Sequence, residues 1–307
     1  MSTPNPKPKV HLLERMSRHA IRSPHGPGRF APWMLKVLGG PIGGLLGALW
    51  RPEISGLENL PQEGAYLLVA NHSGSGVAEA QALALVWRRR FGGERPMASL
   101  AHPLAMMTPG VGHVLASVGC VPSTRRDALE ALGDGVPVLV FPGGDHEAWR
   151  PIWQANRVDL AGRKGFLKVA LEAGVPIVPM GIVGSHYTLP ILWRSRLLAR
   201  VLVWPRLLGL KQMPITLLGV AGAGALLAWL GPWLGWGWAS VAALLWLTCP
   251  PLFFVPIVPW SIKIRVGKPL RTGRGDFILF KKAGKSLDAA YLQVESVLQN
   301  IIDGLAR

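Results

Sequence analysis

Between Lys211 and Lys263 the chain contains no Asp, Glu, Lys or Arg. A helical segment of a soluble domain keeps a polar stripe toward water, and a stretch this long without charge has no such stripe to offer. Two apolar segments, Ile215 to Leu230 and Leu234 to Phe254, are separated by Gly231-Pro232, and Pro250-Pro251, Pro256 and Pro259 end the second. At a rise of about 1.5 Å per residue the second is long enough to cross a bilayer core of about 30 Å, and the first is marginal. With both ends on one side, the pattern predicts a helical hairpin inserted in a membrane over residues 212–260. The alternative is a hairpin buried in a soluble core. Arg194, Arg196, Arg200, Arg206 and Lys211 precede the stretch and Lys263, Arg265 and Lys268 follow it. Positive flanks belong on the cytoplasmic side, and Trp229, Trp233, Trp236, Trp238 and Trp246 suit interfacial depth.

Composition narrows the partners. The 307 residues carry a net charge of +16, yet only 16% are charged and 50% are hydrophobic; about 25% charged is usual for soluble domains. A nucleic-acid binder shows a dense basic stripe with interleaved aromatics, whereas the 13 Trp here concentrate in apolar segments. Anionic lipid headgroups, which attract each nearby Lys or Arg by about 1 kcal/mol, fit better. Cys120 and Cys249 lie far apart without CxxC spacing, so neither a disulfide framework nor a zinc site is expected. No metal or bound cofactor is expected either. Residues 1–29 hold Lys7, Lys9, Arg15, Arg18, Arg22 and Arg29 against Glu14 alone. They read as a flexible basic arm rather than a signal peptide, which leaves the domain facing the cytoplasm. Phe30 to Trp50 is apolar apart from Lys36, and Gly39-Gly40-Pro41 and Gly43-Gly44 interrupt it. A pair of short amphipathic helices in the membrane interface is expected there, with a buried hairpin as the alternative.

The rest of the chain reads as a α/β domain. Tyr66 to Ala70, Val136 to Phe141 and Val175 to Met180 are short apolar runs bounded by polar or Gly/Pro signals, which predicts buried strands. Ala78 to Arg90 and Arg163 to Ala173 have helical spacing, the first closing on three arginines and the second on Gly174. Strand, helix, strand in succession predicts a mainly parallel central sheet flanked by helices, joined by a late strand at Ile262 to Val266.

Two loops carry the chemistry. Asn71-His72-Ser73-Gly74-Ser75-Gly76 follows the first strand. A histidine there suits proton transfer at neutral pH; a solvated or structural histidine is the alternative. A base needs a group to hold its tautomer, and Glu79 is the nearest acid. Phe141-Pro142-Gly143-Gly144-Asp145-His146-Glu147 follows the second strand. Its glycines permit exposed N–H groups that bind an anion or oxyanion, and Arg150, Arg157, Arg163 and Lys164 nearby suit phosphates.

Taken in order, NHSG, then GCVPS with Arg125 and Arg126, FPGGDHEAWRP, AGRKGF and GVPIVPMG resemble the glycerolipid acyltransferase superfamily that contains the lysophosphatidic acid acyltransferases. The resemblance covers about Ile54 to Ser185 and the late strand. It implies an acyltransferase domain over residues 51–307, interrupted by the hairpin. It implies direct transfer of a fatty acyl group from acyl-CoA or an acyl-carrier protein to a glycerolipid hydroxyl, in phospholipid or neutral lipid synthesis. His72 would be the base and Glu79 its partner. Ser73, Gly143, Gly144, Asp145 and Glu147 would line the substrate and oxyanion side, and Arg125, Arg126, Arg150, Arg163 and Lys164 would bind donor phosphates. The superfamily pattern His-x-x-x-x-Asp meets Val77 here, so Glu79 stands in two residues later, with Asp145 and Glu147 as further candidates. The Glu-Gly-Thr-Arg of phosphate-bearing acceptors is replaced by Gly143 to His146. Gly-Gly-x-x-Glu is similar to the branch acylating neutral glycerides, so lysophospholipid, monoacylglycerol and diacylglycerol all stay open. A non-catalytic lipid-binding membrane protein is the rival reading. A lipid esterase is weaker, because no G-x-S-x-G elbow is present.

Overall fold

The computed structural model describes residues 8–74, 76–202, 212–249, 255–270 and 287–307. Seven strands form one sheet: β1 (Glu53–Ser55), β2 (Leu67–Ala70), β3 (Ala98–Ala101), β4 (Val121–Pro122), β5 (Val138–Val140), β6 (Ile177–Val183) and β9 (Lys263–Val266), in the order β1-β9-β6-β2-β5-β3-β4. The expected mainly parallel architecture is present. β2 lies between β5 and β6, parallel to both, with Leu67 opposite Val138 on one side and Ile177 on the other. β9 is antiparallel to β6 and parallel to β1.

The alternation of side chains along β2 explains why its sequence is apolar throughout. Leu67 and Val69 join one core cluster with Phe166, Leu167 and Ala170 of helix Gly165–Ala173. Leu68 and Ala70 join the other, with Ala82, Leu83 and Trp87 of helix Val77–Phe91. A strand buried on both faces reads as a continuous hydrophobic run. Helix Leu287–Ala306 was not anticipated. It buries Tyr291, Val294, Leu298, Ile302 and Leu305 at helical spacing against the first cluster.

The basic arm expected over residues 1–29 is described from residue 8 on, and residues 21–28 make contacts with the domain. Helix Pro8–Ser17 leads to Ile21, whose N–H donates to Met106 O at 2.9 Å. Gly28 accepts from Met97 N–H and donates to Gly119 O, each at 3.0 Å, and Arg22 pairs with buried Asp127 at 2.6 Å. Gly28 thereby bridges the residues that lead into β3 and β4. Residues 1–7, including Lys7, lie outside the described residues. Two short helices occupy the stretch from Phe30 to Trp50, Pro32–Gly39 and Pro41–Trp50, bent by 59° at their junction.

The apolar hairpin consists of helices Leu217–Leu234 and Trp236–Leu247. Its break falls at Gly235, not at Gly231-Pro232, which lie inside the first helix. The first helix has 18 residues and the second 12, so the first is the one long enough to cross a bilayer, the reverse of the expected lengths. Arg206, Lys211 and residues 250–254 lie outside the described residues. Gly222 permits the two helices to meet: a Cβ there would lie 2.1 Å from the Trp246 indole nitrogen. The hairpin is otherwise open, with Trp229 at 69%, Trp233 at 81% and Trp238 at 72% exposure. At its base, β7 (Ile191–Ser195) and β8 (Met213–Thr216) form a two-stranded antiparallel sheet, and Ile191 and Met213 pack with Ala148 and Trp149.

Asn71 ties the end of β2 to β6. Its amide donates to Ile182 O at 2.9 Å and its carbonyl accepts the Ile182 N–H at 2.8 Å. In the Asn71→Ala variant two buried backbone groups of β6 lose their partner. A loss of about 1–3 kcal/mol in unfolding free energy, read by denaturant titration in detergent, is expected.

Candidate active site

The carboxyl ends of adjacent parallel strands are where open α/β sheets place ligands. Here β2 ends on Asn71-His72-Ser73, β5 on Phe141-Pro142-Gly143, and β6 on Gly184-Ser185. Because the three strands are neighbours, these loops converge.

His72 is held at three points. Its Nδ1 hydrogen-bonds Oε1 of Glu79. Its ring stacks on Phe141, with centroids 4.3 Å apart and planes 16° from parallel. Its backbone N–H donates to Glu147 Oε2 at 3.0 Å. With the Nδ1–H donating to Glu79, Nε2 is the nitrogen that carries the open lone pair, and it makes no hydrogen bond to another described residue. The His72 side chain is 18% exposed and that of Glu79 1%.

Glu79 lies in the first turn of helix Val77–Phe91, where the helix dipole favours a carboxylate. Its Oε2 accepts from the Ser73 N–H at 2.7 Å and from the Ser185 hydroxyl at 2.9 Å. Ser73 and Ser185 also bond each other through their hydroxyls at 2.7 Å. Ser73 is therefore committed to the buried network rather than turned to an open substrate side.

Glu147 is a second buried carboxylate, beneath the Gly-Gly loop. It accepts from Arg150 at 2.9 Å and from the Asp159 N–H at 3.1 Å, besides His72. Burial pushes its carboxyl up, while Arg150 and the two N–H groups pull it back. Gly143 is required by this arrangement: a Cβ there would lie 2.2 Å from Glu147 Oε2. The Gly143 N–H makes no hydrogen bond to another described residue. Gly144 closes the turn by donating to Phe141 O at 3.1 Å.

The cations divide. Arg150 is buried and paired with Glu147, so it does not face a ligand from solution, contrary to the expected phosphate role. Arg163 donates to Pro142 O at 3.2 Å and pairs with Asp145 at 2.6 Å, which holds both beside the Gly-Gly turn. Lys164 pairs with Asp288 and Arg125 with Glu172, both on exposed surface. Arg126 is exposed. Arg125 and Arg126 open the helix after β4, at the same sheet edge as His72 but separated from it by β3 and β5.

Ser185, Asn71 and Phe141 belong to the site without having been singled out as site residues. For Ser185 the signal was its place, a polar residue just past a buried strand, as His72 is. His186 is also new. It is fully buried, and its ring nitrogens have no hydrogen-bond partner among the described residues. Burial, with the charges of Arg150 and His72 nearby, pushes it down from 6.5 to about 3. Between those values the unfolded chain binds a proton that the folded chain does not. Its contribution is therefore present above pH 6.5 and lost as pH falls toward 3. In the His186→Phe variant the fall of the melting temperature over that pH range should be shallower than in the parent, read by scanning fluorimetry in detergent.

Residues 51–183 match the model of a family described as Acyltransferase. An uncharacterized protein of Mycobacterium tuberculosis is 34% identical over 167 residues, covering 54% of this chain and 45% of that protein. An uncharacterized protein of Mycobacterium leprae is 33% identical over 185 residues, covering 60% and 49%. A Bos taurus protein titled DGAT1/2-independent enzyme synthesizing storage lipids is 29% identical over 134 residues, covering 43% and 39%. The chain spans about half the length, or less, of these curated relatives. The matched segment runs from the start of β1 to the end of β6 and contains His72, Glu79, the Gly-Gly loop and Glu147. The part of this chain that carries the ordered motifs, residues 51–183, is thus the part that is similar to the Acyltransferase family.

Proposed function

We propose that the chain is a membrane-associated O-acyltransferase that moves a fatty acyl group from a thioester donor, acyl-CoA or acyl-carrier protein, to a glycerolipid hydroxyl. The observation that carries this reading is the His72–Glu79 pair, its Nε2 free of described partners, set at the strand ends of a domain similar to the Acyltransferase family. In the proposed step His72 Nε2 takes the proton of the acceptor hydroxyl as its oxygen attacks the thioester carbonyl. The C–O bond forms, the C–S bond breaks, and the imidazolium returns the proton to the departing thiolate. Glu79 holds the tautomer and stabilises the imidazolium. The Gly143 N–H, without a hydrogen-bond partner among the described residues, is the best-placed backbone donor for the oxyanion; one such donor contributes about 2.7–4 kcal/mol. Arg126, which is exposed, is the cation best suited to donor phosphates, since Arg150 is buried and Arg163 is paired with Asp145.

The acceptor is proposed to be a neutral glyceride. The loop after β5 offers Gly143, Gly144, Asp145 and His146 where a glycerol phosphate would want an arginine, and Arg163 there is already paired with Asp145. The storage-lipid title of the bovine relative supports the same direction. A panel with lysophosphatidic acid, monoacylglycerol and diacylglycerol as acceptors tests this. Turnover is expected with the glycerides, and His72→Ala should lose about 10²–10⁴ of it. Turnover of lysophosphatidic acid alone would remove the neutral acceptor, and a fully active His72→Ala would remove the base.

The exposed tryptophans of the hairpin and the bent helix pair support membrane insertion. Arg194, Arg196 and Arg200 before the hairpin and Lys263, Arg265 and Lys268 after it put both ends on the cytoplasmic side in this reading. The intact chain should resist extraction from membranes by alkaline carbonate. A chain with 217–247 replaced by a short Gly/Ser linker should be released, as followed by sedimentation.

A further inference from the structure

We propose that Ser185 is a positioning residue for the His72–Glu79 pair, fixing which carboxylate oxygen faces the imidazole. The inference rests on the reading of His72 as the base. Ser185 opens the short helix Ser185–Thr188 after β6 and is buried. Its Oγ lies 2.9 Å from Glu79 Oε2 and 2.7 Å from Ser73 Oγ, and its N–H donates to Ser73 Oγ at 3.2 Å.

The proton positions follow from elementary valence. An ionised carboxylate only accepts, so the Ser185 O–H donates to Glu79. With that hydrogen committed, the contact between the two hydroxyls requires Ser73 O–H to donate to Ser185 Oγ. Ser73 Oγ in turn accepts the Ser185 N–H. The two serines thus form a closed, one-way network ending on Oε2, where the Ser73 N–H also arrives at 2.7 Å. Two donors on Oε2 fix the plane of the carboxylate and leave Oε1 for His72 Nδ1. Hydrogen bonds to a charged acceptor are the stronger kind, so the arrangement resists rotation of the carboxylate. Space is reserved for it as well: a Cβ on Gly74 would lie 2.6 Å from Ser185 Oγ.

The test compares kcat, KM and the pH dependence of kcat/KM in the full-length enzyme for His72→Ala, Ser185→Ala, Glu79→Ala and the Ser185→Ala/Glu79→Ala double variant. Ser185→Ala should lower kcat about ten-fold with KM within about two-fold. It should also move the acid limb of kcat/KM to higher pH, because a carboxylate with one donor fewer bears more strongly on the imidazolium. In the Glu79→Ala background the same change should cost nothing further, since its target is gone. A parental kcat and pH profile in Ser185→Ala, or an equal loss in both backgrounds, overturns the positioning role. If His72→Ala stays active, the base assignment itself fails, whatever Ser185→Ala does. Should Ser185→Ala not fold, Ser185→Cys carries the same test, since it keeps the shape but donates weakly.

Discussion

Glu79 carries its carboxylate at 1% exposure. A charge removed from water must be met by donors or give up its ionisation. The three that meet it are the Ser73 N–H, the Ser185 hydroxyl and His72 Nδ1. They come from the loop after β2 and from the end of β6. The conformation of both loops is therefore set by one buried anion at the head of helix Val77–Phe91. Glu147 does the same work from the other side, holding the His72 backbone, Arg150 and the Asp159 N–H. His72 sits between the two carboxylates, with its ring steadied on Phe141.

This arrangement needs a rigid base. The central strands are packed on both faces, so the ends of β2, β5 and β6 keep their relative positions. The apolar hairpin is mechanically joined to the same region. Ile191 and Met213 at its base share a cluster with Ala148 and Trp149, which follow the Gly-Gly loop, and Trp246 packs against that cluster. Arg194, on β7, donates to His146 O at 2.9 Å. The element read as entering the membrane therefore begins within a side chain's length of the loop read as holding the oxyanion.

Much of this was legible in the residues. Apolar runs such as Leu67 to Ala70 allow only a strand buried on both sides, and the polar residues that follow them mark the edge where chemistry gathers. The bent pair at Pro32–Gly39 and Pro41–Trp50 follows from glycines and a proline in an apolar stretch. Other features were not legible for identifiable reasons. The hairpin turns at Gly235, where φ is +78°, while Gly231-Pro232 continue the first helix with Gly231 buried against Trp236, a contact that local propensity does not show. The contacts of residues 8–29 were not legible because their partners, Met97, Met106, Gly119 and Asp127, lie 69 to 105 positions away. Arg150 looked like a ligand cation because its partner's burial is invisible in a string of letters.

The division follows from the range of the forces. Periodicity, turn residues and the absence of charge are local, and by themselves they determined the parallel sheet, the apolar hairpin and the two loops that carry His72 and Gly143. Which serine meets Glu79, and which serine meets that one in turn, depend on contacts across 106 and 112 positions of sequence. Only the packing of β6 beside β2 brings Ser185 to Glu79. Tertiary structure decided these because a buried charge selects its donors by distance and direction, and neither is encoded in the spacing along the chain.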